Sequence, residues 1–280
     1  KGNHLVYSNP RIRGCDVNPK LSILSLDIET NARTGEILSI ACCDGDSVVF
    51  IRTESSGPPW MHPCASEKEL LERFLAHVAQ SDPDILIGWN VIDFDLRLIA
   101  RRCEHHGLSL RLGRNGASAF FSAAGSSRAA GVAVPGRVVH DLPTLLRAYY
   151  FKFEEYSLDH VAAQMLGKRK LIEQTGAEKI DEIIRRFSED PAALARYNLE
   201  DAVLTKEVYE SSGLLPTAIE RTKWSGHLLE RLGGSIAAFD FLYLPLLHRS
   251  GYVAPDKRDA SAHGGSLSGG HVLEPDPGLY

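Results

Sequence analysis

Apolar positions change period along this chain, and the changes mark the elements. Residues 21–28 (LSILSLDI) read as a strand that runs directly into an acidic pair. Residues 37–43 (ILSIACC) and 47–52 (SVVFIR) are apolar, β-branched runs. Asp44-Gly45-Asp46 between them is a short turn signal, so the first three strands are expected to form an antiparallel meander. Ser66-Glu67-Lys68-Glu69 is a capping box. It opens a helix that places Leu70, Leu71, Phe74, Leu75 and Val78 on one face. Asp82-Pro83-Asp84 closes that helix, and residues 84–88 (DILIG) follow as a short, wholly apolar strand. Such a run suits a central parallel strand after a helical crossover. A further helix is expected from about Phe94 to His106, stopped by Gly107.

Residues 107–137 carry little helical signal and are rich in Gly, Ser and Ala. Phe120-Phe121 and Val132 to Val134 read as the two arms of an excursion or hairpin. Arg137 to His140 is another short strand, and Asp141 opens a helix through Tyr150. Ser157 caps a helix to about Leu166. Asp190-Pro191 pairs an N-cap with proline at the first helical position and starts a helix to about Glu210. The order β-β-β-α-β-α-β-α-α predicts an α/β fold with a mixed sheet flanked by helices, not a Rossmann order. After Gly213 the character changes, and residues 257–271 (KRDASAHGGSLSGGH) read as a mobile loop.

Composition narrows the class without naming a function. The chain has 280 residues, 44% apolar and 24% charged, which are ordinary globular values. A net charge of −5 does not suit a protein that coats nucleic acid by bulk charge. Cys15, Cys42, Cys43, Cys64 and Cys103 have no zinc or redox spacing and are expected to be free, buried thiols in a reducing cytosol. The apolar stretch from Ile236 to Leu247 is interrupted by Asp240 and Pro245 and is too short to span a bilayer. No membrane partner is expected. The chain begins at Lys1 without a methionine and stops at Tyr280, so it is expected to be a piece of a longer protein.

Four acidic positions stand out by placement. Asp27 and Glu29 lie two apart at a strand end, so both side chains point the same way. Asp95 sits at the start of a helix, where it also suits the helix dipole. Asp201 lies in the long helix after Pro191, with Tyr197 four residues earlier on the same face. Each alone fits a solvated turn or an amphipathic surface. Converging, they form an all-oxygen site that suits Mg²⁺ or Mn²⁺ and not zinc. Two such cations about 3.5–4 Å apart clamp the attacking and leaving oxygens of a phosphoryl displacement.

These residues carry a resemblance. Asp27-Ile28-Glu29-Thr30 resembles the first motif of the DEDD-superfamily proofreading exonucleases. Gly88-Trp89-Asn90-Val91-Ile92-Asp93-Phe94-Asp95 resembles the second, and Tyr197-Asn198-Leu199-Glu200-Asp201 the third in its tyrosine form. With Val6 to Pro10, Gly233-Gly234-Ser235, Leu247 to Pro255 and the final Pro277 to Tyr280, nearly the whole chain resembles family B DNA polymerases of bacterial type. The resemblance implies a ribonuclease-H-like fold and removal of mispaired nucleotides from the single-stranded 3′ end of a DNA primer. It implies that Asp27, Glu29, Asp95 and Asp201 hold two Mg²⁺ or Mn²⁺ ions and that Tyr197 orients the attacking water. Thr30, Asn90 and Phe94 would lie near the terminal nucleotides, with core packing the competing role for Phe94. It further implies that residues 1–20 are a remnant of a preceding domain, 21–213 the exonuclease domain, and 214–280 an extension leading to a polymerase palm. The polymerase domain of the same parent chain would be a partner, in the bacterial cytoplasm. Since the polymerase motifs would follow Tyr280, this chain should not polymerise.

Local charge adds a candidate DNA surface. From Leu96 to Val139 there are seven arginines and one acid, Glu104, a balance of +6 inside a chain of −5. Arginine forks suit phosphate, which makes Arg111, Arg114 and Arg128 candidate DNA contacts. By resemblance, residues 114–137 are the hairpin that parts primer from template. Two other readings stand beside the exonuclease. A free-standing RNA-trimming exonuclease of the histidine branch would place His five residues before the last aspartate, where this chain has Arg196. A non-catalytic DNA-binding module is opposed by the presence of all four carboxylates.

Overall fold

A computed structural model describes residues 7–254 except 12, 14, 123–130, 169–175 and 231–234. The 257–271 loop and the tip of the expected hairpin, with Arg128, lie outside the described residues.

Strands β1 (Ile23–Asn31), β2 (Glu36–Cys43) and β3 (Ser47–Arg52) form the antiparallel meander. Strand β4 (Met61–Cys64) then runs parallel to β3 at the sheet edge. The sequence reading passed over it because it is four residues long and contains Pro63. Proline is tolerated in a strand where no ladder hydrogen bond is required of it, which is an edge. Helix α1 (Glu67–Ser81) crosses to β5 (Ile85–Gly88), which pairs parallel with β1. Helix α2 (Asp95–His105) follows, then a small hairpin of β6 (Phe120–Ser122) and β7 (Gly131–Ala133). Strand β8 (Val138–Asp141) pairs parallel with β5, completing the order β4-β3-β2-β1-β5-β8. This six-stranded mixed sheet, flanked by helices, is the ribonuclease-H-like architecture that the motifs imply.

Helices α3 (Leu142–Ala148) and α4 (Leu158–Leu166) start at their expected caps, Asp141 and Ser157. Helix α5 (Gly176–Glu189) did not emerge from the sequence reading. Its polar face, dense in Glu, Asp and Arg, hides a narrow stripe in which Ile183 and Phe187 join the apolar cluster under α6 and Ile180 lines the cleft beside β1. Helix α6 (Pro191–Ser211) is the central helix of that layer, and its buried side covers β1, β2 and β3. The sheet is thus closed on both faces, and β2 is buried along nearly its whole length. Two further helices were not anticipated, α7 (Leu214–Ser225) and α8 (Ser235–Arg249). Leu214, Leu215 and Leu229 pack in the same apolar cluster as Val208 and Tyr209. Helix α8 runs through Asp240 and Pro245 and buries none of its residues. Among the described residues no helix is long and apolar enough to cross a membrane.

The cysteines are free, and Cys42, Cys43, Cys64 and Cys103 are buried. Cys15 is exposed, contrary to expectation, because residues 15–20 lie on the surface without regular structure.

Candidate metal centre

The alternation of β1 sets the site. Leu24, Leu26 and Ile28 point into the core beneath α1 and α2. Ser25, Asp27 and Glu29 take the opposite face, towards α6, where Ser25 Oγ donates to the Ala202 carbonyl at 2.8 Å. Helix α6 delivers Asp201 to that face. One oxygen from each of Asp27, Glu29 and Asp201 lies within 4.8 Å of the others. Glu29 and Asp201 are buried, and Asp27 partly so.

Asp95 reaches the same cleft from the start of α2 but stands outside that tight set. Burial first, then the charges of Asp27 and Glu29, push its carboxyl well above the usual range. Its Oδ2 is buried without a hydrogen-bond partner. Converging carboxylates at this depth carry a negative excess that a divalent cation relieves, and their all-oxygen donor set matches a hard ion. The residues present therefore fit Mg²⁺ or Mn²⁺.

Tyr197 is completely buried and does not line the cleft. Burial, the neighbouring charges of Asp201, Glu29 and Asp27, and a hydrogen bond to Asp201 push its phenol far above the usual tyrosine range. The phenol thus keeps its proton and offers it to Asp201 as a hydrogen bond. The Lys179 ammonium from α5 sits 5.5 Å from the centre of the tyrosine ring.

Sequence reasoning missed Asn198. Its Nδ2 donates to Asp27 Oδ2 at 2.7 Å, and its Oδ1 accepts from Ser39 Oγ at 2.8 Å. The available signal was spacing: Asn198 lies three residues before Asp201 and shares its helical face.

The cleft, of about 280 Å³, is walled by the four carboxylates and by Thr30, Trp89, Phe94 and Lys179. Phe94 is 50% exposed at this cleft, so it is not a core residue. Trp89 is held by an Nε1 hydrogen bond to the Tyr156 carbonyl at 3.1 Å. Asn90 is exposed outside the cleft lining, in the left-handed region at φ 62°, and its carbonyl accepts from Phe94 N–H at 3.0 Å. Gly88 has no room for a side chain, since a Cβ there would lie 2.7 Å from Val91 Cβ and 2.9 Å from the Leu26 carbonyl.

Among the described residues, four of the arginines of residues 96–139 are already engaged by carboxylates. Arg114 bridges Asp82 at 2.9 Å and Asp84 at 2.8 Å, and it also donates to the Gly136 carbonyl at 3.0 Å. Arg137 is buried against Asp82 and the Leu112 and Pro83 carbonyls. Arg97 pairs with Asp93. Arg102 and His106 both bind Glu67, which also accepts from Ile37 N–H at 2.7 Å. Burial alone would raise the Glu67 carboxyl, but these donors overcome it and hold it at about 2. Arg101 and Arg111 are exposed and make no ion pair among the described residues.

Comparison with known proteins agrees with this arrangement. Residues 5–161 match the family model of the DNA polymerase family B exonuclease domain. That match ends before Tyr197 and Asp201, which the fold returns to β1. DNA polymerase II of Escherichia coli is 37% identical over 273 residues, covering 95% of this chain and 34% of that protein. A DNA polymerase of Thermococcus gorgonarius is 30% identical over 273 residues, 93% of this chain and 34% of that protein. One from Pyrococcus glycovorans is 28% identical over 273 residues, with the same coverage of 93% and 34%. The chain thus spans about a third of the length of these relatives. With the family model matched across more than half of its residues on a ribonuclease-H-like sheet, the chain belongs to DNA polymerase family B and carries that family's exonuclease domain.

Proposed function

We propose that this chain is the metal-dependent 3′→5′ exonuclease portion of a DNA-directed DNA polymerase, hydrolysing the 3′-terminal phosphodiester of a single-stranded primer end as a proofreading step. The observation that carries the reading is the convergence of Asp27, Glu29 and Asp201 within 4.8 Å on the α6 face of β1. In this reading those three carboxylates hold one Mg²⁺ or Mn²⁺, and Asp27 with Asp95 holds a second. Bound there, the cations supply the Lewis acidity for in-line attack of water on the phosphodiester. Tyr197 keeps its proton and fixes Asp201 through their hydrogen bond. Phe94 and Trp89 wall the cleft with aromatic faces on which terminal bases stack, a sequence-tolerant mode of single-strand binding. Thr30 lines the same cleft, while Asn90 shapes the turn that presents Phe94. Of the arginines, Arg111 and Arg128 remain the DNA contacts in this reading.

The proposed organisation keeps residues 21–213 as the exonuclease domain and 214–280 as the path to the polymerase domain, with α7 packed on the exonuclease core. The exposed apolar face of α8 suits a continuation of the parent chain. In this reading the protein works in the bacterial cytoplasm, as its similarity to a bacterial DNA polymerase II supports.

Single-turnover cleavage of a 5′-labelled single-stranded DNA tests the reading. Stepwise shortening from the 3′ end, dependence on Mg²⁺ or Mn²⁺, and near-abolition by Asp27→Ala or Asp201→Ala are expected. Cleavage that survives a chelator, or wild-type rates in Asp27→Ala, would refute the assignment. Preference for RNA over DNA would favour a trimming exonuclease, and metal-independent binding without cleavage a DNA-holding module.

A further inference from the structure

Resting on the exonuclease reading, we infer that Asn198 and Ser39 form a positioning relay that sets the Asp27 carboxylate and the register of α6 over the metal centre. Ser39 lies on β2 directly opposite Glu29 of β1, so its hydroxyl shares the face of the acidic pair. Its Oγ donates to Asn198 Oδ1 at 2.8 Å, and Asn198 Nδ2 donates to Asp27 Oδ2 at 2.7 Å. Ser39 and Asn198 are both fully buried.

The chemistry of the groups fixes the direction of the chain. An ionised carboxylate only accepts, so the amide must turn its NH₂ towards Asp27. The amide oxygen then faces Ser39 and needs a donor, since an unsatisfied acceptor at that depth is costly. The serine hydroxyl supplies it. Three elements, β2, α6 and β1, are tied in one line. Asn198 is three residues before Asp201 and four positions are needed for a full helical turn, so holding Asn198 also sets how Asp201 meets Asp27 and Glu29. Carboxylates this close repel one another and would rotate apart. A neutral amide donor orients Asp27 without cancelling the charge that a cation needs.

Asn198 and Ser39 do not line the cleft, so the relay acts through Asp27 and not through DNA. Loss of the relay should therefore weaken metal binding and lower kcat while leaving KM for single-stranded DNA nearly unchanged. Partners that orient metal ligands typically matter by about 10- to 100-fold in metal affinity or activity.

Isothermal titration of Mn²⁺ into the 280-residue chain, without DNA, separates the possibilities. Wild type should bind Mn²⁺, and Asp201→Ala should lose that binding. If Asp201→Ala binds as wild type does, the exonuclease reading itself fails, and the relay with it. Given that control, Asn198→Leu, which keeps the branched side-chain skeleton and removes the donor, should weaken Mn²⁺ binding by about 10- to 100-fold. Ser39→Ala should weaken it by a smaller factor, and the double variant should be no worse than Asn198→Leu alone. Folded Asn198→Leu with wild-type Mn²⁺ affinity overturns the relay and leaves the exonuclease reading intact. Should Asn198→Leu fail to fold, folded Ser39→Ala decides: wild-type affinity overturns the relay, and weakened affinity supports it. A rise in KM without a fall in kcat also overturns it.

Discussion

Arg114 and Arg111 are three residues apart, the first bridged to two carboxylates and the second exposed, and a single experiment can separate what each does. Arg114→Ala removes two ion pairs, to Asp82 at 2.9 Å and Asp84 at 2.8 Å, and hydrogen bonds to the Gly136 and Asp82 carbonyls. Its side chain is 37% exposed, so solvent screens the pairs. Exposed pairs of this kind contribute about 0.2–1 kcal/mol each. Adding the carbonyl contacts, with the same screening in mind, brings the expected loss to about 2 kcal/mol. At about 2–4 °C per kcal/mol for a domain of this size, the melting midpoint should fall by roughly 4–8 °C. Its phosphate affinity should barely change, because the guanidinium is already occupied. Arg111→Ala should do the reverse. The melting midpoint should hold, and the slope of log K against log salt should flatten by about 0.7, the single-strand value for one lost phosphate contact. Between about 50 and 200 mM salt that slope change amounts to roughly a 2.5-fold difference in affinity. Fluorescence anisotropy with a labelled single strand gives the slopes, and a thermal melt gives the midpoints. Arg114→Ala with an unchanged midpoint and a flattened slope would show that the guanidinium contacts phosphate and that the bridge to Asp82 and Asp84 is incidental.

Two further outcomes follow from the same geometry. Glu67 has its folded pKa at about 2 against an ordinary 4.5, so its stabilisation is complete above about pH 4.5 and is lost as pH falls towards 2. That shift corresponds to about 3 kcal/mol, so Glu67→Gln should lose about that much stability at pH 7 and show a flatter acid limb in denaturant melts; parallel acid limbs would contradict the reasoning. Tyr197→Phe removes the hydrogen bond to Asp201 from a side chain that does not line the cleft. Its kcat should fall by about 10- to 100-fold with KM for single-stranded DNA unchanged, and a KM effect alone would mean that the phenol touches substrate.

What was legible in the sequence was local, and what was hidden was long-range. A strand of period two put Asp27 and Glu29 on one face, and a cap-plus-proline start put Asp201 on a well-defined helix. Both elements form where expected. The arginine stretch overstated its free charge because charge was summed along the chain, while ion pairs form through space and engage Arg97, Arg102, Arg114 and Arg137. The acids that occupy Arg114 come from the turn after α1, and the one that occupies Arg102 from the start of α1. Helix α5 was obscured by its own polar face, and β4 by its proline.

The same division explains the site itself. A motif of four acids states how much negative charge is assembled, but not what holds it in place. Asn198 is 171 residues from Asp27 and 159 from Ser39, so nothing local marks its role. The donors it and Tyr197 offer are uncharged. An arginine in either place would orient a carboxylate equally well, but it would also neutralise it and leave less for a divalent cation to do. Neutral donors separate the two tasks, with geometry supplied by the protein and charge compensation left to the ion. Burial and the charges of Asp27 and Glu29 raise the Asp95 carboxyl, and a divalent cation held beside it would offset that repulsion.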